Sequence, residues 1–213
     1  MTHAGVVFDR APVARRGVVL TWINLVYNAI EAVISLAAGV VAGSVSLIGF
    51  GIDSTIELSS SVMALWRLQV DSDVDRRARA ERVGLRLIGA SFLALAAFVT
   101  YEAGEALWRR EVPDESPVGI AIAACSALCM PLLARAKRRV AEQLGSGTLA
   151  ADARQTDFCA YLSVILLVGL ALNALFGWWW ADPVAALAMV PIIAREGADG
   201  IRGRSHCGCA HAH

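Results

Sequence analysis

The chain has 213 residues, 57% of them hydrophobic and only 18% charged, with a formal net charge of zero. A typical soluble domain carries about 25% charged residues, so this balance excludes an ordinary water-facing surface. Zero net charge gives no bulk attraction to nucleic acid, and no nucleic-acid partner is expected. Mean hydropathy is +0.57. The charges cluster between long apolar stretches, and a spanning helix needs roughly 20 apolar residues. Six such stretches fill the chain and leave no room for a separate soluble domain.

Residues 1–16 hold Arg10, Arg15 and Arg16 but no apolar core, so they read as a cytoplasmic segment and not as a signal peptide. Span one is expected at about 17–38, followed by a short turn at 39–43. Span two is expected at 45–68, before an Arg- and Asp-rich loop at 69–82. Span three covers about 83–108 and span four about 117–136, joined by a short acidic loop containing Pro113. Pro131 is a candidate kink in span four. A basic loop at 137–148 contains Gly145-Ser146-Gly147. Span five is expected at 150–176, and span six at 183–198, with Trp178, Trp179 and Trp180 at the interface between them. The spans together make a six-helix transmembrane unit at 17–202. A tail at 203–213 carries His206, Cys207, Cys209, His211 and His213.

Orientation follows from Lys and Arg. Of the nineteen basic residues, seventeen fall at the N-terminus, in the loops between spans two and three and between spans four and five, after span six, or in the span ends that flank these segments; only Arg109 and Arg110 lie on the other side. Both termini are therefore expected to be cytoplasmic, in a polytopic all-α protein with lipid as its surroundings. The skew of 18 Arg to one Lys, Lys137, hints at a GC-rich bacterial genome, and the expected location is a bacterial inner membrane.

The functional signal lies in polar groups at membrane depth. A carboxylate in mid-bilayer costs about 2.5–3.5 kcal/mol on insertion scales. Span two carries two, Asp53 and Glu57, at i and i+4 on one face. Two like charges so close require protonation of at least one, or a cation between them. Span five presents Asp152, Gln155, Thr156, Cys159 and Ser163 on one face, with Asp157 outside that stripe. At ~1.5 Å rise per residue, Asp53 is expected level with Cys159 and Glu57 level with Gln155, to within a turn. Asp, Glu and Cys are metal ligands, and Gln offers a carbonyl oxygen. The candidate metal site is therefore Asp53, Glu57, Gln155 and Cys159, with Asp152 as a vestibule or interfacial group. Polar packing between helices is the bland alternative for each. It stands equally beside a second polar layer for Asn24, Asn28, Glu31 and Ser35 on span one.

Cys125 and Cys129, one turn apart on span four, read as small apolar packers. Glu102 and Glu105 read as snorkelling or helix-end groups, or as a cation lure at the outer face. The tail's five His and Cys residues form a second, cytoplasmic candidate for metal capture.

Asn28 and Glu31, then Gly43-Ser44-Val45-Ser46-Leu47, then Asp53-Ser54-Thr55-Ile56-Glu57, resemble the start of the cation diffusion facilitator family. On helix two that family carries an acidic or His-Asp pair at i and i+4. Ala151-Asp152-Ala153-Arg154-Gln155, continuing to Cys159, resembles its fifth helix, with Gln155 at the family's His and Cys159 at its Asp. Trp180-Ala181-Asp182-Pro183 resembles the start of its sixth. The resemblance covers about residues 15–200. It implies export of a divalent transition metal, often Zn²⁺, against protons. The changed fifth-helix ligands leave Co²⁺, Cd²⁺, Fe²⁺, Ni²⁺ and Mn²⁺ open as cargo. The family's cytoplasmic C-terminal domain commonly holds a dimer together; here only the short tail is expected after span six, which leaves a homodimer open. A membrane metal sensor or adaptor without turnover would use the same ligands. A carrier of organic cations would want aromatics around the carboxylates, and only Phe50 and Phe158 are close in sequence. No nucleophile–base pair or cofactor motif appears at membrane depth, so neither an enzyme nor a prosthetic group is expected.

Overall fold

The computed structural model describes residues 10–42, 45–110 and 117–203. Within them the chain forms six helices and no strand: α1 (Arg10–Ala42), α2 (Val45–Gln69), α3 (Val74–Arg109), α4 (Pro117–Leu144), α5 (Gly147–Phe176) and α6 (Ala181–Ile201). The all-α fold with six long helices is the one expected from sequence.

The bundle is turned inside out relative to one that folds in water. Along α1, Val19, Trp22, Ile23, Val26, Ile30 and Val33 face outward and are each at least 50% exposed, while Thr21, Asn24, Asn28, Glu31 and Ser35 are buried. In water both halves of that pattern would be unfavourable. Against hydrocarbon, apolar side chains face the solvent and polar ones must find partners inside. α1 (as Arg10–Ala38), α3 and α4 are long and apolar enough to cross a membrane by length and composition. α2, α5 and α6 pack among and against these three.

The helices run further than the expected spans. α1 begins at Arg10, inside the segment expected to precede it, and α3 begins at Val74, inside the expected 69–82 loop. The expected basic loop at 137–148 shrinks to Gly145 and Ser146, because α4 continues to Leu144 and α5 starts at Gly147. Apolarity ends at the hydrocarbon boundary, but helical hydrogen bonding does not, and Arg and Lys are good helix formers. The helix starts are capped locally. Asp73 accepts from the backbone N–H groups of Asp75 at 3.1 Å and Arg76 at 3.0 Å. Ser146 Oγ accepts from Leu149 N at 3.2 Å, after Gly145 turns the chain at φ +60°. Pro131 sits within α4 and Pro191 within α6 without ending either helix.

The main pairings are α1 with α2, α3 with α6, and α4 with α5. α3 and α6 meet backbone to backbone. A Cβ on Gly89 would lie 2.7 Å from Ile201 N, and one on Gly200 would lie 2.8 Å from Gly89 Cα. Small residues permit such close crossings where no hydrophobic force drives helices together. An apolar core of Leu85, Ile88, Phe92, Leu95 and Val99 on α3 meets Phe158 of α5 and Ile193 of α6. Phe92 and Phe158 stack edge to face at 5.5 Å. These pairings leave the polar faces of α1, α2, α4 and α5 turned toward one another.

One end of the bundle is tied by charge. Arg67, only 2% exposed, reaches Asp71 at 2.8 Å and Glu81 at 2.6 Å. Arg10 grips the same Asp71 at 3.0 Å and donates to Leu144 O at 3.0 Å. Glu81 in turn accepts from Ser146 Oγ at 2.8 Å and from Thr148 N at 2.6 Å, at the N-terminus of α5. Five helices converge on this cluster. Burial by itself would raise the Asp71 carboxyl, but the guanidiniums of Arg10 and Arg67 outweigh it and hold it below the ordinary carboxylate range.

Candidate functional site

Asp53 and Glu57 are one turn apart on α2 and are 4% and 0% exposed. The α5 stripe lies opposite: Asp152, Gln155, Thr156, Cys159 and Ser163 are all buried. Thr156 Oγ1 donates to Glu57 Oε1 at 2.8 Å, and Cys159 is buried further along the same stripe. The two helices thus meet at Glu57, with Thr156 rather than its neighbour Gln155 on it. α1 adds Asn24, whose Nδ2 donates to Glu57 Oε1 at 3.0 Å and to Ser61 Oγ at 2.8 Å. Asn28 Nδ2 donates to Asn24 O at 3.0 Å.

What distinguishes this locus is what remains unpaired. Asp53 Oδ2, Glu57 Oε2, both amide atoms of Gln155, and the side-chain oxygens of Asn24, Asn28 and Ser60 are buried with no hydrogen-bond partner. Folded proteins leave few such groups. Here they lie on facing stripes of three helices, and all but the Gln155 nitrogen are oxygens. Among the described residues neither Asp53 nor Glu57 has an ion-pair partner. A cation, or water and protons, satisfies such a set.

Glu31 is different. Its two oxygens are taken by Ser54 Oγ at 2.8 Å and by a short bond from Ser126 Oγ, with the Tyr27 hydroxyl 3.1 Å from Ser126. Of the two readings open for Glu31, the geometry is that of interhelical bonding, linking α1 to α2 and α4. Asp152 is also engaged: Lys137 Nζ lies 2.7 Å from Oδ2 and Ser61 Oγ lies 3.4 Å from Oδ1. Asp157 points away from the stripe and pairs with Arg138. Among the described residues no three His, Cys, Asp or Glu groups are clustered for a metal. A cation held by Asp53 and Glu57 would therefore draw on amide oxygens as well.

A cavity of about 100 Å³ reaches Asp53 between Gly49, Phe50, Phe98, Glu102 and Pro183. Those residues lie toward the end opposite the Arg10–Arg67–Asp71–Glu81 cluster. Glu102 leans over Gly49, where a Cβ would collide with its carboxylate. Glu105 instead pairs along α3 with Arg109 at 2.6 Å. Cys125 and Cys129, expected as packers, are exposed on the outward face of α4 with their sulfurs 4.0 Å apart. Their neighbour Ser126 takes the inward position instead. The tail residues His206, Cys207, Cys209, His211 and His213, and the Gly43-Ser44 turn, lie outside the described residues.

Sequence reasoning missed two contributors. Lys137 falls in the stretch expected as a basic loop, and Ser126 sits between the two cysteines with no role expected from sequence. The signal for Lys137 was its rarity, one lysine among nineteen basic residues. For Ser126 it was a lone hydroxyl in an apolar helix.

Residues 21–202 match the model of the cation efflux transmembrane domain. An uncharacterized transporter of Synechocystis sp. is 30% identical over 162 residues, covering 73% of this chain and 52% of that protein. The cation-efflux pump FieF of Shewanella oneidensis is 23% identical over 84% of this chain and 64% of its own. The manganese efflux system protein MneS of Bacillus subtilis is 26% identical over 85% of this chain and 63% of its own. The chain thus spans between about half and just under two thirds of the length of these relatives. The inward polar faces, the α2 carboxylates and this match lead to one conclusion: the chain belongs to the cation efflux family, and residues 21–202 form its transmembrane domain.

Proposed function

We propose that this protein exports a divalent transition metal from the cytoplasm in exchange for protons, with Asp53 and Glu57 as the principal ligands and zinc as the first candidate cargo. The observation that carries this reading is the set of buried, unpartnered oxygens on Asp53, Glu57 and Gln155. Two buried carboxylates are balanced either by one dication or by two protons, and that equivalence is the basis of exchange. Cys159 supplies a sulfur ligand, which suits zinc, cobalt or cadmium. Gln155 supplies an oxygen. The cavity toward Glu102 and the charge-tied opposite end fit a site that opens to one side at a time, as alternating access requires. The distribution of arginines supports both termini being cytoplasmic, and the excess of arginine over lysine supports a bacterial inner membrane.

A second cargo is favoured by a specific observation. The amide oxygens of Gln155 and Asn28 are both unpartnered, and with Asp53 and Glu57 they make an oxygen-only set that suits manganese. One relative is named as a manganese efflux system protein.

The test is uptake of Zn²⁺, Mn²⁺, Co²⁺, Cd²⁺, Fe²⁺ and Ni²⁺ into proteoliposomes under a pH gradient, with wild type and Asp53→Asn. We expect one or two of these metals to accumulate with the gradient, and Asp53→Asn to lose about two orders of magnitude of rate, the scale on which metal sites respond to ligand changes. Accumulation unaffected by Asp53→Asn would remove the site, and none by wild type would remove the function.

A further inference from the structure

The chain's single lysine, set among 18 arginines, is drawn into the polar interior. Lys137 on α4 is 4% exposed. Its Nζ lies 2.7 Å from Asp152 Oδ2 and donates to Thr156 Oγ1 at 2.9 Å. Thr156 donates onward to Glu57 Oε1 at 2.8 Å, so one hydroxyl separates the ammonium from a principal ligand. A parallel chain runs from the other oxygen of Asp152 through Ser61, 3.4 Å away, to Asn24, which donates both to Ser61 and to Glu57. The pair lies between the arginine-rich end of the bundle and the unpartnered carboxylates.

The choice of lysine bears on the role. An arginine holds a carboxylate with a rigid, bidentate fork, whereas an ammonium is a compact charge on a flexible stem. A lasting structural pair in an arginine-rich chain would be served by arginine. A pair that must open is better served by lysine.

We propose that Lys137 is a tethered placeholder cation. It neutralises Asp152 while the site lacks substrate, and a dication arriving from the arginine-rich end displaces the ammonium, takes Asp152 as its first ligand, and passes on to Glu57 and Asp53. This rests on the transport reading above and adds a gateway to it.

The test uses the full chain in detergent, titrated calorimetrically with Zn²⁺ alone and Mn²⁺ alone, comparing wild type with Lys137→Met, Lys137→Arg and Asp53→Asn. A placeholder competes with the metal. Lys137→Met should therefore bind about tenfold more tightly, the effect expected when one nearby like charge is removed. Lys137→Arg, with its firmer grip on Asp152, should bind more weakly than wild type. A merely structural pair gives the reverse for Lys137→Met, because its loss loosens the site. Unchanged or weaker binding by folded Lys137→Met overturns the proposal. If that variant does not fold, Lys137→Arg decides, and binding equal to or tighter than wild type overturns it. The failure of the transport reading looks different: wild type binds neither metal and Asp53→Asn matches it. Loss of binding in Asp53→Asn with both Lys137 variants like wild type sinks the placeholder alone.

Discussion

Glu57 and Cys159 are the single side chains on which the proposed site chemistry turns. Glu57 has one oxygen engaged by Asn24 and Thr156 and the other unpartnered, so the side chain is held in place with one oxygen available. Asp53, likewise buried, also has one oxygen unpartnered. Among the proposed ligands, Cys159 is the one that carries sulfur. We expect Cys159→Ser to keep the volume but remove the sulfur, lowering zinc and cadmium flux by about tenfold or more while sparing manganese. Parallel uptake assays of the three metals would check this, and an equal fall for all three would exclude sulfur ligation. The residues found by sequence here were those whose type is improbable in an apolar helix. Ser126 escaped because a serine in a membrane helix is unremarkable until Glu31 is found against it.

Among the elements, α3 and α6 act as a pair outside the polar interior, joined through Gly89, Gly197 and Gly200. With backbone atoms already in contact, an added side chain has nowhere to go. Gly89→Leu should destabilise the protein by about 1–3 kcal/mol, the cost of overpacking a close contact. Thermal unfolding in detergent measures it, and an unchanged midpoint would refute the crossing. α4 and α5 show the limit of reading elements from hydropathy. Residues 137–148 look like a basic loop, yet the helix continues past Lys137 and only Gly145 and Ser146 separate it from α5. A hydropathy boundary marks where lipid ends, and a helix ends only where its backbone finds another partner, here Ser146.

At the scale of the whole molecule, the Arg10–Arg67–Asp71–Glu81 cluster closes one end while the cavity beside Asp53 opens toward the other. Removing one partner of a buried ion pair costs about 3–5 kcal/mol. Asp71→Ala should approach the lower figure, because Arg67 is almost wholly buried while Arg10 is partly exposed. The sign of the pH dependence follows from the lowered folded value of Asp71. Its contribution is complete above the unfolded value near ~3.9 and is lost as pH falls through the lower folded value. Acid unfolding of wild type should therefore steepen below about pH 4, and Asp71→Asn should flatten that limb. A variant with the same acid limb as wild type would show that Asp71 is not the group responsible.

Local composition and the 3.6-residue period were enough to determine six helices, their apolar and polar faces, and the two carboxylates on α2 that confront the stripe on α5. Those properties depend on residues a turn or two apart, so they are legible along the chain. Which polar group meets which was decided only when the helices packed. Thr156 reaches Glu57 across 99 positions of sequence and Ser126 reaches Glu31 across 95. Lys137 finds Asp152 because α4 continues as a helix where apolarity stops. The rotation and offset of one helix against another are set by contacts such as the glycine crossing of α3 and α6, and no periodicity within a single helix encodes them.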